Sequence, residues 1–196
     1  MIHLKSPDEI EKLRQSNYLA ARILKAIVDR VKPGVTTLEL DQFAEQQVRA
    51  AGATPAFKGY QGFPATLCTS INEEVVHGIP NRTPLRQGDI LSVDIGVKLD
   101  GYFGDKAITV PVGEVSEEAR MLIQTAREAL ALAIEETREG NRLGDVSSAI
   151  QHYAESHGYN VVTKFVGHGI GRVLHEEPQV PNFGRRGTGP RLYPGL

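Results

Sequence analysis

Apolar residues recur every three or four positions along two N-terminal stretches of the chain, which is the spacing of amphipathic helices. The first helix is predicted to begin after Ser6, an N-cap residue followed by a proline, and to end before Gly34. The second is predicted between Thr36 and Gly52, because Thr36 and Glu39 have the spacing of a capping box. The pattern therefore predicts two consecutive helices before any strand.

The same order of long helix, glycine, shorter helix and glycine returns from residue 116 onward. One offset of 106 positions relates two pairs of helix-ending glycines. The pairs are Gly34 with Gly140 and Gly52 with Gly158. The second long helix is predicted from apolar residues at helical spacing, Leu122, Ala126, Leu130 and Ile134. We interpret residues 6–111 and 116–196 as two repeat units within a single domain of residues 1–196.

Strands are predicted from alternating and β-branched segments at residues 65–71, 90–97, 102–110 and 160–166. The first three belong to the first repeat unit and the fourth to the second. The offset of 106 carries positions 94 and 105 to 200 and 211, beyond Leu196. We therefore expect the second unit to lack a strand or two within these 196 residues, which would leave an open sheet edge and favour association or poor solubility.

Charge and cysteine content narrow the class of protein. Lys and Arg number 22 and Asp and Glu 24, so the formal charge of −2 gives no electrostatic reason to expect DNA or a membrane as partner. Cys68 is the single cysteine, which excludes a disulfide framework and is typical of a reducing compartment. Because the N-terminus also has no signal-peptide pattern, we predict a cytoplasmic protein.

Two aspartates lie on a predicted hairpin in the first unit. Alternation along residues 90–97 places Asp94 on the face opposite the apolar side chains. Residues 100–101, Asp-Gly, predict a two-residue turn. The resulting register sets Asp94 opposite Ala107, with Asp105 diagonally beside it on the same face. A solvated outer face is the alternative, but the apolar neighbours favour burial, and two buried carboxylates repel each other unless a cation lies between them.

Three histidines are further candidates. His77 lies just before a turn and, considered alone, is more typical of a structural histidine. His168 follows a predicted strand and is flanked by glycines that permit close backbone approach. His175 begins a His-Glu-Glu-Pro string that is not the zinc helix H-E-x-x-H, since position 179 is Gln and a proline precedes it. With the two aspartates, these imidazoles form a thiolate-free donor set that suits Mn, Fe, Co or Zn.

Short strings along the whole chain resemble those of the type I methionine aminopeptidases. They lie at residues 62–64, 68–73, 76–80, 92–96, 104–105, 167–171 and 175–178. The resemblance implies a pseudo-two-fold α+β pita-bread fold, which agrees with the predicted duplication. It also implies a metallo-exopeptidase that removes the N-terminal methionine from nascent proteins near the ribosome exit, as a monomer when full length.

The resemblance further implies a centre with two divalent ions, Co, Mn, Fe or Zn, and a metal-bridging hydroxide as the nucleophile. Asp94 would bind one ion, Asp105 would bridge both, and His168 would be the imidazole ligand. His77 would contact the substrate near the scissile amide, and His175 would bind the scissile carbonyl oxygen and stabilise the oxyanion. The pocket for the methionine side chain would be lined by Tyr60, Phe63 and Cys68.

Two further ligands of the family are glutamates on later strands, one of them also the general base, and they match no position up to Leu196. We therefore expect the 196-residue polypeptide, a C-terminally truncated form, to bind metal weakly and to have little peptidase activity. The alternative function is an inactive or weakly metal-binding form that acts at most as a peptide-binding module.

Two other classes of protein share the expected fold. Proline-directed peptidases and creatinase relatives of the same fold usually carry a large N-terminal domain, whereas only residues 1–5 precede the first predicted helix here. A non-catalytic binding protein that kept only the fold would have lost metal ligands throughout, yet each ligand position before Leu196 holds the expected residue. Both observations favour the aminopeptidase.

Overall fold

Residues 2–196, which the computed structural model describes, form two pairs of α-helices, each followed by a group of strands. The helices are α1 (Pro7–Val28), α2 (Thr37–Ala50), α3 (Glu117–Glu136) and α4 (Leu143–Ser156), with a 3₁₀ turn at Tyr60–Gly62. The strands are β1 (Thr54–Pro55), β2 (Leu67–Ile71), β3 (Ile90–Leu99), β4 (Tyr102–Pro111), β5 (Gly167–Gly169) and β6 (Glu176–Val180). Within this described range, every helix is too short or too polar to span a bilayer.

The chain divides into two compact units. The sheet unit comprises Glu9–Ala119 together with Ile170–Leu174. The second unit comprises Arg120–Gly169, His175–Leu196 and the N-terminal residues up to position 8. The short loop Ile170–Leu174 is therefore attached to the sheet unit, while the residues on either side of it belong to the second unit.

The helix starts follow from their capping residues. The backbone N–H of Glu39 donates to the Thr36 hydroxyl (3.2 Å), and the Glu39 carboxylate accepts the Thr36 N–H (2.8 Å), which is the predicted capping box. Helix α4 begins and ends 106 positions after α2. The glycines that precede these two helices, Gly34 and Gly140, both have left-handed backbones, with φ of 90° and 93°. The two helix pairs thus match in spacing and in turn geometry.

Strand β3 is the centre of a four-stranded antiparallel sheet. It pairs with β4 along one edge and with β1 and β2 along the other. Alternate residues of β3, at 91, 93, 95 and 97, are fully buried in the core beneath α1 and α2. Gly104 of β4 lies so close to α1 that a Cβ there would stand 2.6 Å from the Ser16 carbonyl oxygen. The other face of the sheet carries the two aspartates.

Helix α3 in the second unit buries small residues, Thr125, Ala129 and Ala133, and the last of these packs with Leu143 of α4. The large apolar residues of the predicted stripe are exposed instead. Leu122, Leu130 and Ile134 are 41%, 58% and 64% exposed. The spacing therefore predicted the helix correctly without marking the face that it buries.

The predicted strand at 160–166 is wrong, because no strand forms there and the strand after α4 is β5. The Asn182 side-chain amide donates to the carbonyl oxygens of Val162 (2.9 Å) and Phe165 (3.2 Å). A valine-rich segment becomes a strand only where a neighbouring strand pairs with it, and here a side chain satisfies these carbonyls. The other three predicted strands are confirmed as β2, β3 and β4.

Candidate metal centre

The β3–β4 hairpin fixes the two aspartates on one face of the sheet. Its turn, Asp100 and Gly101, has φ of 49° and 84°, as a two-residue hairpin turn requires. Asp94 pairs with Ala107 and Gly96 pairs with Asp105, so the two carboxylates are diagonal neighbours. The register predicted from the sequence is confirmed.

The electrostatics of this pair are unfavourable without a cation. Burial, and then the negative charge of Asp105, raise the pKa of Asp94 to about 8. Atom Oδ1 of Asp94 is buried and has no hydrogen-bond partner among residues 2–196. The backbone N–H of Asp105 donates to Asn17 of α1 (3.3 Å), which ties that strand position to the helix. An orphaned carboxylate oxygen beside a second carboxylate is a good fit for a divalent ion.

The two aspartates alone are not a complete set of metal ligands. Within the described residues, no group of three His, Cys, Asp or Glu side chains is arranged to hold a metal ion. The histidines assigned to the site fall in different parts of the chain, His77 in the sheet unit and His168 and His175 in the second unit.

An apolar wall lies beside the aspartates on the same face of the sheet. It is a cluster of the buried residues Phe57, Cys68 and Leu174, with Ala56, Phe63, Phe103 and Ile170 packed around them. Cys68 of β2 is the cross-strand partner of Asp94. The Phe57 ring covers Gly96, where a Cβ would stand 2.4 Å from its Cε1 atom. The glycine therefore lets an aromatic ring reach the strand at the position opposite Asp105 and two residues from Asp94.

The predicted side-chain pocket falls largely within this wall. Phe63 and Cys68 both belong to it. Tyr60 is 38% exposed and begins the 3₁₀ turn, with backbone hydrogen bonds that link it to Phe57 and Phe63. Burial, followed by the nearby Asp94, raises the pKa of Cys68 to about 12, so the side chain is a neutral thiol. The sequence analysis did not place Phe57 in this wall, and a glycine on the acidic face of a strand was the available signal.

His77 lies on an exposed loop beside β2. Its backbone is left-handed, with φ of 62°, which is uncommon for a residue with a side chain. The next residue fixes the loop, because Gly78 donates its N–H to the Ser70 hydroxyl (3.1 Å) and accepts from the Thr69 N–H (2.8 Å). His77 therefore directly precedes a glycine that is hydrogen-bonded to Thr69, the residue after Cys68 in β2.

His168 and His175 come together in the second unit, with ring centroids 4.1 Å apart. His168 lies on β5, where the pairing with β6 has an irregularity between His168 and Gly169. Its Nδ1 donates to the Gly169 carbonyl oxygen (2.9 Å), so the imidazole lone pair is on Nε2. His175 is exposed and directly precedes β6, which confirms that the residues after it do not form a zinc-binding helix.

The sequence model of metallopeptidase family M24 matches residues 11–196. The chain therefore belongs to this family of metal-dependent peptidases. Its α+β structure is that of the family's pita-bread fold, and the family membership implies a divalent metal cofactor.

Within the family, the similarity is to methionine aminopeptidases. Those named methionine aminopeptidase from Clostridium acetobutylicum and methionine aminopeptidase 1 from Bacillus subtilis are 51% and 45% identical over this whole chain, which covers 79% of each. The crystal structure of methionine aminopeptidase from Rickettsia prowazekii, 45% identical, matches the whole chain with a TM-score of 0.98 and is covered to 79%. A prolidase from Pyrococcus furiosus, 22% identical with a TM-score of 0.85, shares the fold. The chain is a methionyl aminopeptidase, a hydrolase of the M24 metallopeptidases.

Proposed function

We propose that this protein releases the N-terminal methionine of nascent polypeptides with Asp94, Asp105 and His168 as protein ligands of two divalent ions. The observation that carries the proposal is the buried, unpartnered Oδ1 of Asp94 beside the second carboxylate. Carboxylate and imidazole donors without thiolate suit Co, Mn, Fe or Zn. When bound, such ions would supply Lewis-acid activation of a water molecule and of the scissile carbonyl.

The two histidines of the second unit have different proposed roles. His168 offers its Nε2 lone pair to a metal, because its Nδ1 hydrogen is held by the Gly169 carbonyl. His175 is exposed and can donate a hydrogen bond to the scissile carbonyl oxygen, which gains negative charge in the transition state. His77, exposed on its loop, is assigned to a contact with the substrate near the scissile amide.

The apolar wall accounts for the choice of substrate side chain. Phe63 and Cys68 present an aromatic ring and a neutral thiol, and Tyr60 stands at the exposed end of the same segment. A thioether gains from contact with aromatic rings and with soft, polarisable atoms. We therefore assign Tyr60, Phe63 and Cys68 to the methionine side chain, with Phe57 as the additional wall residue.

We also propose that residues 1–196 are one catalytic domain built from two repeat units related by a pseudo-two-fold axis. The matched spacing of α2 and α4 supports this organisation. We further propose that the full-length protein is a monomer that acts in the cytoplasm on chains leaving the ribosome, without DNA or membrane partners. The single cysteine supports the cytoplasmic location, and the formal charge of −2 gives no electrostatic reason for DNA or a membrane as partner.

The test compares Asp94→Asn and His168→Ala with Asp100→Asn. Asp100 is an exposed aspartate in the turn of the same hairpin, and asparagine tolerates its left-handed backbone. Metal uptake is measured by mass spectrometry and calorimetry, and methionine release is measured on a Met-Gly-Met tripeptide with added Mn or Co. Because the 196-residue polypeptide is expected to bind metal weakly and to turn over slowly, metal affinity is the main readout. We expect Asp100→Asn to match the unsubstituted protein, while the other two variants bind metal at least ~10-fold more weakly and release no more methionine than the metal-free protein.

Equal metal uptake in all variants would overturn the proposed ligands. Release of amino acids from a Xaa-Pro dipeptide in preference to Met-Gly-Met would favour the proline-directed rival. Tight binding of a methionyl peptide without turnover under any metal would favour the peptide-binding module.

A further inference from the structure

Residues 170–174 form a short loop that joins the two histidines of the second unit and is itself anchored on the sheet unit. The backbone N–H of Phe103 donates to the Gly171 carbonyl oxygen (2.9 Å), two residues before Asp105 along β4. Leu174, only 2% exposed, packs into the apolar wall. Successive Cα atoms are only ~3.8 Å apart. Anchoring this loop therefore limits the backbone conformations open to the segment that connects His168 and His175.

A polar cluster holds the middle of the same loop. The Tyr102 hydroxyl donates to Oε1 of Glu9 (3.0 Å), and Nε of Arg172 donates to that same oxygen (3.4 Å). The Arg172 guanidinium also stands over the Tyr102 ring, 5.1 Å from its centroid. Glu9 on α1, Tyr102 on β4 and Arg172 on the loop are thus joined at one carboxylate oxygen.

Two cations and one carboxylate surround the Tyr102 side chain. Lys12 of α1 stands 5.5 Å from the centroid of the Tyr102 ring, as a second cation on that ring. Glu9 is the carboxylate that accepts from both Tyr102 and Arg172, and its side chain is 16% exposed. Tyr102 is 2% exposed, so its hydroxyl depends on a protein partner.

The exposure of Arg172 separates a positioning role from a stabilising one. Its side chain is 71% exposed, and ion pairs with so exposed a partner contribute little to folding stability. A planar guanidinium that donates to a carboxylate and also lies over a ring can satisfy both contacts only in a limited range of side-chain conformations, which limits where its backbone can lie. We infer that Arg172 is a positioning residue for the aminopeptidase reaction, which fixes the loop between His168 and His175. This inference rests on the proposed function of those two histidines.

The test uses Arg172→Ala, the conservative Arg172→Lys, and Lys12→Ala as the matched control that removes the other cation from the same ring. Hydrogen exchange of the metal-free protein is followed by mass spectrometry in peptides covering residues 101–105 and 169–176. We expect exchange in Arg172→Ala to become about tenfold faster in these peptides, with an unchanged thermal midpoint. Arg172→Lys should recover part of the protection, and Lys12→Ala should resemble the unsubstituted protein.

Two further measurements test whether loosening the loop changes metal binding and catalysis. With Co added, the visible absorption spectrum of Arg172→Ala should change in the direction given by His168→Ala, because a looser loop holds that imidazole less well. On Met-Gly-Met, the low kcat expected of the 196-residue polypeptide should fall about tenfold further, while KM stays within about twofold. If Arg172 only stabilised the fold, Arg172→Ala would instead lower the thermal midpoint, and kcat would not fall selectively relative to KM.

The inference is overturned if Arg172→Ala exchanges, absorbs and turns over like the unsubstituted protein, or if Lys12→Ala causes the same changes. Failure of the proposed function has a different signature. In that case Asp94→Asn and His168→Ala bind metal and release methionine normally, whatever the exchange of the loop shows.

Discussion

Replacing Asp94 by asparagine is expected to stabilise the metal-free protein near pH 8. Burial, and then the charge of Asp105, raise the pKa of Asp94 from 3.8 to about 8 in the folded protein. The unfolded chain loses the same proton near pH ~4. Unfolding between these two values releases a proton, so the stability of the metal-free protein falls as the pH rises through this window.

The size of the effect follows from that difference. The two pKa values differ by about four, and each pH unit costs ~1.4 kcal/mol, which gives an upper limit of ~6 kcal/mol of lost stability by pH ~8. An asparagine does not titrate, and its amide can donate to the Asp105 carboxylate. The advantage of Asp94→Asn should therefore be small at the acidic end of the window and grow steadily towards the alkaline end.

The assay is urea unfolding, followed by circular dichroism after removal of metal with EDTA, at several values from about pH 5 to about pH 8. Asp100→Asn serves as the control, because it removes a charge from the exposed turn of the same hairpin. Equal pH slopes of stability for the unsubstituted protein and Asp94→Asn would contradict the raised pKa of Asp94. A lower stability of Asp94→Asn at the alkaline end would contradict it as well.

Two further changes test the packing of the two units. Leu24→Ala should cost ~2–4 kcal/mol of unfolding free energy, whereas Leu130→Ala, 106 positions later, should cost within ~0.5 kcal/mol, because these leucines are 5% and 58% exposed in the 196-residue chain. Urea unfolding of the two variants checks this, and equal losses would contradict the described burial. Gly104→Ala should cost ~3 kcal/mol or more of unfolding free energy, because its Cβ would stand 2.6 Å from the Ser16 carbonyl oxygen. A thermal midpoint equal to that of the unsubstituted protein would show that α1 can move aside at little cost.

The parts of the structure that were predictable depend on local chemistry. The left-handed turn at Asp100 and Gly101 sets the hairpin register within a few residues, and with it the pairing of Asp94. The capping box of Thr36 and Glu39 likewise set the start of α2. These features depend on residues that are close in sequence, so a pattern in the chain can express them.

The unpredicted parts depend on partners far apart in sequence. Glu9 and Arg172 are 163 positions apart, and the ring of Phe57 covers a glycine of a different element. Neither relation leaves a periodic trace. In α3, spacing alone could not distinguish the small buried face from the larger apolar residues, because both repeat at helical intervals. Tertiary contacts decided between them.

The hairpin turn has one consequence for how this site could change over time. Side chains alternate between the faces of a strand, so the distance between the two carboxylates can only take discrete values. Adding one residue between Leu99 and Tyr102 would shift the register and turn one aspartate away from the other, unless a bulge absorbed it. Loop lengthening, the commonest form of variation elsewhere on protein surfaces, is therefore an all-or-nothing event at this position.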